Sequence, residues 1–197
     1  MIIDAGHGGH DFGGRGNGLT EKRLTLDTAF ALRKELRARG FNAVLTRTDD
    51  RFVDLDDRVA FANRYRNGRA ILVSVHYDSS GPSARGVTTF FWRTDSHGLA
   101  TRVHRAVIAA TGLPSVGVIR RRIRLTRNPE IPCILVECGF MSNHSDAALI
   151  SEPGFRRTIA AGIAKGIANQ LRLGDGDIPS VPELNEPLSR ATDPRTY

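Results

Sequence analysis

The run Ala70-Ile-Leu-Val-Ser-Val-His76 is apolar almost without a break, and it constrains the fold more than any other stretch of the chain. A strand with one wet face alternates apolar and polar residues. One that is apolar throughout must be covered on both faces, as in parallel sheets lying between helices. Related runs open the chain, Ile2-Ile3-Asp4-Ala5, and recur late, Cys133-Ile-Leu-Val-Glu137. Between them the spacing turns helical: Leu24, Leu26, Ala29, Leu32 and Leu36 form one stripe, and Gly40 marks its end. The pattern predicts helices from about Thr20 to Arg39, Leu55 to Tyr65, Ser96 to Thr111, Ser145 to Ile150 and Glu152 to Leu171. It predicts further strands from Phe41 to Arg47 and from Gly86 to Trp92, whereas Val118 to Arg127 is basic and shows no clear period. This alternation implies an α/β fold: a single domain with a mixed, mainly parallel central sheet flanked by helices. Residues 1–172 are assigned to that domain. Residues 173–197, rich in Pro, Asp and Glu, read as a mobile tail or truncated linker.

A chain of 197 residues is long enough to bury a real core. None of its apolar stretches is long enough to span a membrane, and it opens in a strand rather than in a charged-then-apolar leader. An excised domain would look like this, as would a protein that leaves the cell by another route or stays inside. Cys133 and Cys138 lie five apart along one strand and its exit, so they point to opposite faces and read as buried free thiols. The net charge of +7, carried mostly by Arg, suits a polyanionic partner. Nucleic acid is disfavoured, because no aromatic stacking motif or recognisable nucleic-acid module accompanies the charge.

Chemistry in open α/β sheets collects at the carboxyl ends of strands. His7 follows the first strand in a glycine-rich turn, His76 closes the long apolar run, and Glu137 closes the late one. Glu21 opens the first helix. Two imidazoles and a carboxylate suit a catalytic zinc that keeps one position for water, leaving the second carboxylate as a general base. The glycines from Gly8 to Gly18 lack nucleotide-loop spacing and read instead as a mobile loop carrying the first ligand.

In order along the chain, Asp4-Ala-Gly-His-Gly-Gly, Glu21-Lys22, Leu45-Thr-Arg-Thr-Asp49, Leu55 with Arg58, Ala62 and Asn63, Ser74-Val-His76 and Val136-Glu-Cys-Gly-Phe-Met-Ser-Asn143 resemble the zinc-dependent N-acetylmuramoyl-L-alanine amidases of the amidase-3 family. The likeness runs from Ile2 to about Leu171. It implies a peptidoglycan hydrolase that cuts between N-acetylmuramic acid and L-alanine, with one Zn²⁺ on His7, Glu21 and His76 and with Glu137 as general base. Phe12, Tyr77 and His10 depart from the family pattern. Some members carry a plugging helix between the third ligand and the catalytic glutamate. Here 60 residues lie between His76 and Glu137, two strands and a helix use most of them, and an open groove is expected.

Arg122 and Arg124, in the run Arg120-Arg121-Arg122-Ile123-Arg124, are candidates for holding stem-peptide carboxylates. Tyr77 and His10 are candidates for contacting substrate. A peptidase or deacetylase using the same site, and a wall-binding module with a degenerate one, are the alternatives. The expected partner is bacterial peptidoglycan and the expected state a monomer. The expected location is the cell envelope for an excised domain; otherwise a phage endolysin or a mother-cell lytic enzyme is expected.

Overall fold

In the computed structural model, which describes residues 1–181, the long apolar run becomes a strand buried at every residue but its last. The chain begins with β1 (Ile2–Ala5), a small hairpin of β2 (Arg15–Gly16) and β3 (Leu19–Thr20), and α1 (Glu21–Ala38). Next come β4 (Val44–Leu45), α2 (Leu55–Asn63), the central strand β5 (Leu72–Asp78) and β6 (Val87–Phe91). A 3-10 turn (Thr94–Ser96) leads into α3 (His97–Thr111), β7 (Ser115–Arg120) and the short α4 (Arg124–Arg127). The last elements are β8 (Cys133–Phe140), α5 (His144–Ser151) and α6 (Pro153–Leu173).

Six strands form one sheet in the order β4-β1-β5-β8-β6-β7. β4, β1, β5 and β8 run parallel, β6 is antiparallel to β8, and β7 follows β6 in parallel. The sheet is therefore mixed and mainly parallel, as the alternation of elements predicts. Strand alternation divides its residues between two faces. Ile3, Val73, Val75, Ile134, Val136 and Cys138 face the larger core, which α1, α3 and α6 cover with Leu32, Val103 and Ile163. Ile2, Leu72 and Cys133 face a smaller cluster closed by Val59 of α2 and Leu125 of α4. Both thiols are buried and free, one on each face.

Three segments differ from expectation. The strand predicted from Phe41 to Arg47 contracts to Val44–Leu45, because the next two side chains turn inward to hydrogen-bond partners near β1. The unassigned basic stretch divides into the edge strand β7 and the turn of α4. Within the glycine-rich loop, Asn17 (φ 48°) and Gly18 (φ 77°) close the β2–β3 hairpin, a role to which Asn-Gly is suited because both positions need positive φ. At the other end, α6 continues to Leu173, and Arg102 of α3 donates to the Gly174 carbonyl (2.7 Å) and pairs with Asp177. Most of the predicted tail, residues 182–197, lies outside the described residues.

Candidate active site

β1 ends at Ala5, and the chain turns at Gly6 directly under the His76 ring. A Cβ at Gly6 would lie 2.3 Å from His76 Cε1, so only glycine lets the two approach. His7 follows with φ 60°, a left-handed conformation rare for a residue with a side chain. Buried arginines hold this turn by its carbonyls. Arg47 donates to Ala5 (3.0 Å) and Gly6 (2.9 Å), and Arg58 to Ala5 (2.7 Å) and His7 (2.9 Å). Arg58 is fixed in turn by Asp4 at 2.7 Å, whose carboxylate also accepts from Thr46 and Ser74, both at 2.7 Å. Lys22 adds a bond to the Gly9 carbonyl at 2.7 Å. The loop expected to be mobile is thus tied down along its first half.

Glu21 is the first residue of α1, and its carboxylate lies between the two imidazoles. Oε1 is 2.8 Å from His76 Nδ1 and accepts from the Tyr77 backbone N–H at 3.1 Å. Oε2 is 3.0 Å from His7 Nε2 and accepts from the Gly14 N–H at 2.7 Å. The His7 and His76 rings meet edge to face, with centroids 5.0 Å apart. One ligand atom from each of His7, Glu21 and His76 lies within 4.8 Å of the other two. The remaining His7 nitrogen, Nδ1, is 2.8 Å from Asp11 Oδ2, which turns Nε2 toward the centre. Two nitrogens and an oxygen, with a carboxylate behind one imidazole, match the donor set and the supporting contact of a catalytic metal site.

Charge balance agrees with this. Burial opposes a charged imidazole, but hydrogen bonds to Asp11 and Glu21 push His7 up to about 10. Burial likewise opposes ionised Glu21, but bonds from both histidines hold its carboxyl well below the usual carboxylate range. A cation entering the site would take the place of the proton held there.

Glu137 is buried in β8 and pairs in register with His76 of β5 and Thr88 of β6. Register puts Glu137 and His76 on the same face of the sheet, on strands roughly 5 Å apart. That face opens into a cleft of about 190 Å³, lined by His7, His76, Asp4, Phe52, Asp54 and Arg124 among others.

Of the residues expected to contact substrate, Arg124 lines the cleft, with its guanidinium already paired to Asp56. Arg122 does not reach it. Arg122, two residues before Arg124, is exposed and is not among the residues that line the cleft. Tyr77 is also corrected. It follows His76 by one residue, so its side chain points to the other face, 1% exposed, with its hydroxyl 2.7 Å from Thr28 Oγ1. His10 is exposed and packs on Phe52 at the rim. The spacing of the elements did not reveal Asp11, whose only signal is its place four residues after His7. Between His76 and Glu137 the longest helix is α3, which packs in the larger core on the face away from the cleft.

The comparisons with known proteins converge on one group. The family model of N-acetylmuramoyl-L-alanine amidases, amidase-3, matches residues 1–169. A sporulation-specific N-acetylmuramoyl-L-alanine amidase of Bacillus subtilis (strain 168) is 34% identical over 184 residues, 88% of this chain and 68% of that one. The N-acetylmuramoyl-L-alanine amidase structure from Clostridium difficile 630 superposes with a TM-score of 0.83 at 30% identity, covering 88% of this chain and 96% of that one. The catalytic domain of CwlV, an N-acetylmuramoyl-L-alanine amidase from Bacillus (Paenibacillus) polymyxa var. colistinus, gives 0.82 at 33% identity, covering 87% and 97%. With residues 1–169 matched to the family model, its fold shared and two imidazoles gathered on one carboxylate, the chain belongs to the amidase-3 family of N-acetylmuramoyl-L-alanine amidases.

Proposed function

We propose that this amidase holds one zinc ion on His7, Glu21 and His76 and uses Glu137 as general base to cut the amide between N-acetylmuramic acid and L-alanine in peptidoglycan. The observation that carries this reading is the approach of both imidazoles to the two oxygens of Glu21, with Glu137 one strand away in register with His76. When bound, zinc polarises an amide carbonyl and lowers the pKa of water to about 7. The chain's own residues do the rest. Glu137 takes a proton from the attacking water and returns it to the departing amine, while Asp11 keeps the His7 ring turned toward the centre. The bond broken is the C–N bond of the amide, leaving a carboxylate on the lactyl group and a free amine on alanine. Residues 1–172 form the working unit, it acts in the cell envelope as a monomer, and its cleft is open without displacement of a plug.

Mass spectrometry of a muramoyl-pentapeptide incubated with the protein tests the reaction. Free peptide beginning at L-alanine is expected. Cleavage within the stem would make the protein a peptidase, and zinc binding without cleavage of any wall substrate would make it a binding module.

Gly6→Ala supplies a second check, because its methyl would occupy the space of the His76 ring. The variant is expected to lose most of its bound zinc and its activity together, measured by metal analysis after dialysis. Full metal content with unchanged turnover would show that His76 is free to move and lies outside the ligand set.

A further inference from the structure

The cleft carries one feature that the reaction itself does not use. Phe52 lines it yet remains 42% exposed, and the exposed His10 ring lies against it, centroids 4.2 Å apart and planes 35° off parallel. A contiguous apolar patch along the margin of a groove is a common mark of a ligand-binding site. This pair is also fixed in place. A Cβ on Gly8 would lie 2.1 Å from the Arg51 carbonyl and one on Gly9 2.7 Å from the Phe52 nitrogen, so the glycine loop packs backbone to backbone on the segment bearing Phe52. Asp50 accepts from the Gly9 N–H at 3.0 Å, and Lys22 clamps both, 2.7 Å from the Gly9 carbonyl and 2.7 Å from Asp50. A ring pair held this way would lose little freedom when a ligand lies on it.

The surrounding charge selects the ligand. Asp54 lines the cleft beside Phe52, with Asp49 and Asp57 exposed in the same segment, whereas Asp50 and Asp56 are paired to Lys22 and Arg124. A stem-peptide carboxylate lying on the ring pair would meet the Asp54 carboxylate beside it. A sugar would not: its C–H face suits the negative face of an aromatic ring, and its hydroxyls donate to carboxylates. We infer that the His10–Phe52 ring pair, with Asp54 beside it, is the saccharide subsite of the cleft, on which the muramoyl sugar stacks while the stem peptide extends away from this acidic margin. The inference rests on the amidase reading and names which part of the substrate lies where.

The test is binding of two probes, an N-acetylglucosaminyl–N-acetylmuramoyl disaccharide whose lactyl carboxyl is capped as a simple amide and a free stem pentapeptide, to wild type, Phe52→Ala and Phe52→Trp. Phe52→Ala is expected to weaken the disaccharide about tenfold, the worth of one aromatic stack, and to leave the pentapeptide unchanged. Phe52→Trp should restore disaccharide affinity, which also shows that the loop folds with a changed ring. Loss of pentapeptide affinity in Phe52→Ala, or no measurable disaccharide binding by wild type, would overturn the assignment. Cleavage of whole peptidoglycan by wild type is followed in parallel. Failure there faults the amidase reading, whereas normal cleavage with disaccharide affinity indifferent to Phe52 faults the subsite alone.

Discussion

Glu137→Gln is expected to lower turnover on peptidoglycan by about 10²–10⁴-fold, the usual contribution of a positioned acid–base group, while zinc stays bound at one per chain. Glutamine keeps the shape of the side chain and its place in the middle of β8, so the strand and its neighbours should be unchanged. What it lacks is a basic oxygen for the water's proton. His7→Ala and His76→Ala should behave differently. Each deletes a nitrogen from the three-residue cluster around Glu21, so metal and activity should be lost together. Rates on a muramoyl-peptide and metal content of the same samples separate the two classes. A Glu137→Gln protein near the wild-type rate would remove Glu137 from the chemistry.

Much of this site was legible before any coordinates, for a physical reason. A parallel strand buried on both faces writes a nearly unbroken apolar run, and a titratable residue set within it stands out, even though both strands run on beyond it, to Asp78 and Phe140. His76 and Glu137 are found that way, and Glu21 by opening the helix. What local pattern cannot give is direction. Nothing in Val87 to Arg120 states that β6 and β7 run against β8, or which of the arginines that follow faces the cleft: Arg124 lines it and Arg122 does not. Tyr77 was a different case, since period-2 alternation already sends the neighbour of His76 to the opposite face. Asp11 holds the His7 ring from within the loop and the two arginines clamp loop carbonyls, and a loop has no period, so the folded structure alone reveals these contacts. The Asn17-Gly18 turn is readable from its residue types, and it sets how the loop that carries His7 returns to α1.

Asp4→Asn is expected to cost about 3–5 kcal/mol, because it leaves the Arg58 guanidinium buried without its counter-charge. For a domain of this size that corresponds to a fall in Tm of roughly 6–20 °C. The pair is 2.7 Å apart and its side chains are 3% and 0% exposed, so water cannot take over for the missing carboxylate. Replacing both partners, Asp4→Asn with Arg58→Met, removes the orphaned charge and should recover part of the loss. The effect also has a pH signature. Burial raises the Asp4 carboxyl, but Arg58 and the hydrogen bonds from Thr46 and Ser74 outweigh it and hold the group below its ordinary value. A carboxyl depressed in the folded state stabilises above its unfolded pKa of about 3.9 and loses that contribution as pH falls through the folded value. The wild-type and Asp4→Asn melting temperatures should therefore lie furthest apart near neutral pH and converge below about pH 4. A gap of constant size down to pH 2 would mean that the cost comes from lost packing rather than from the charge. Because Arg58 also holds the Ala5 and His7 carbonyls, Asp4→Asn should bind zinc more weakly as well, although Asp4 lies outside the His7–Glu21–His76 cluster.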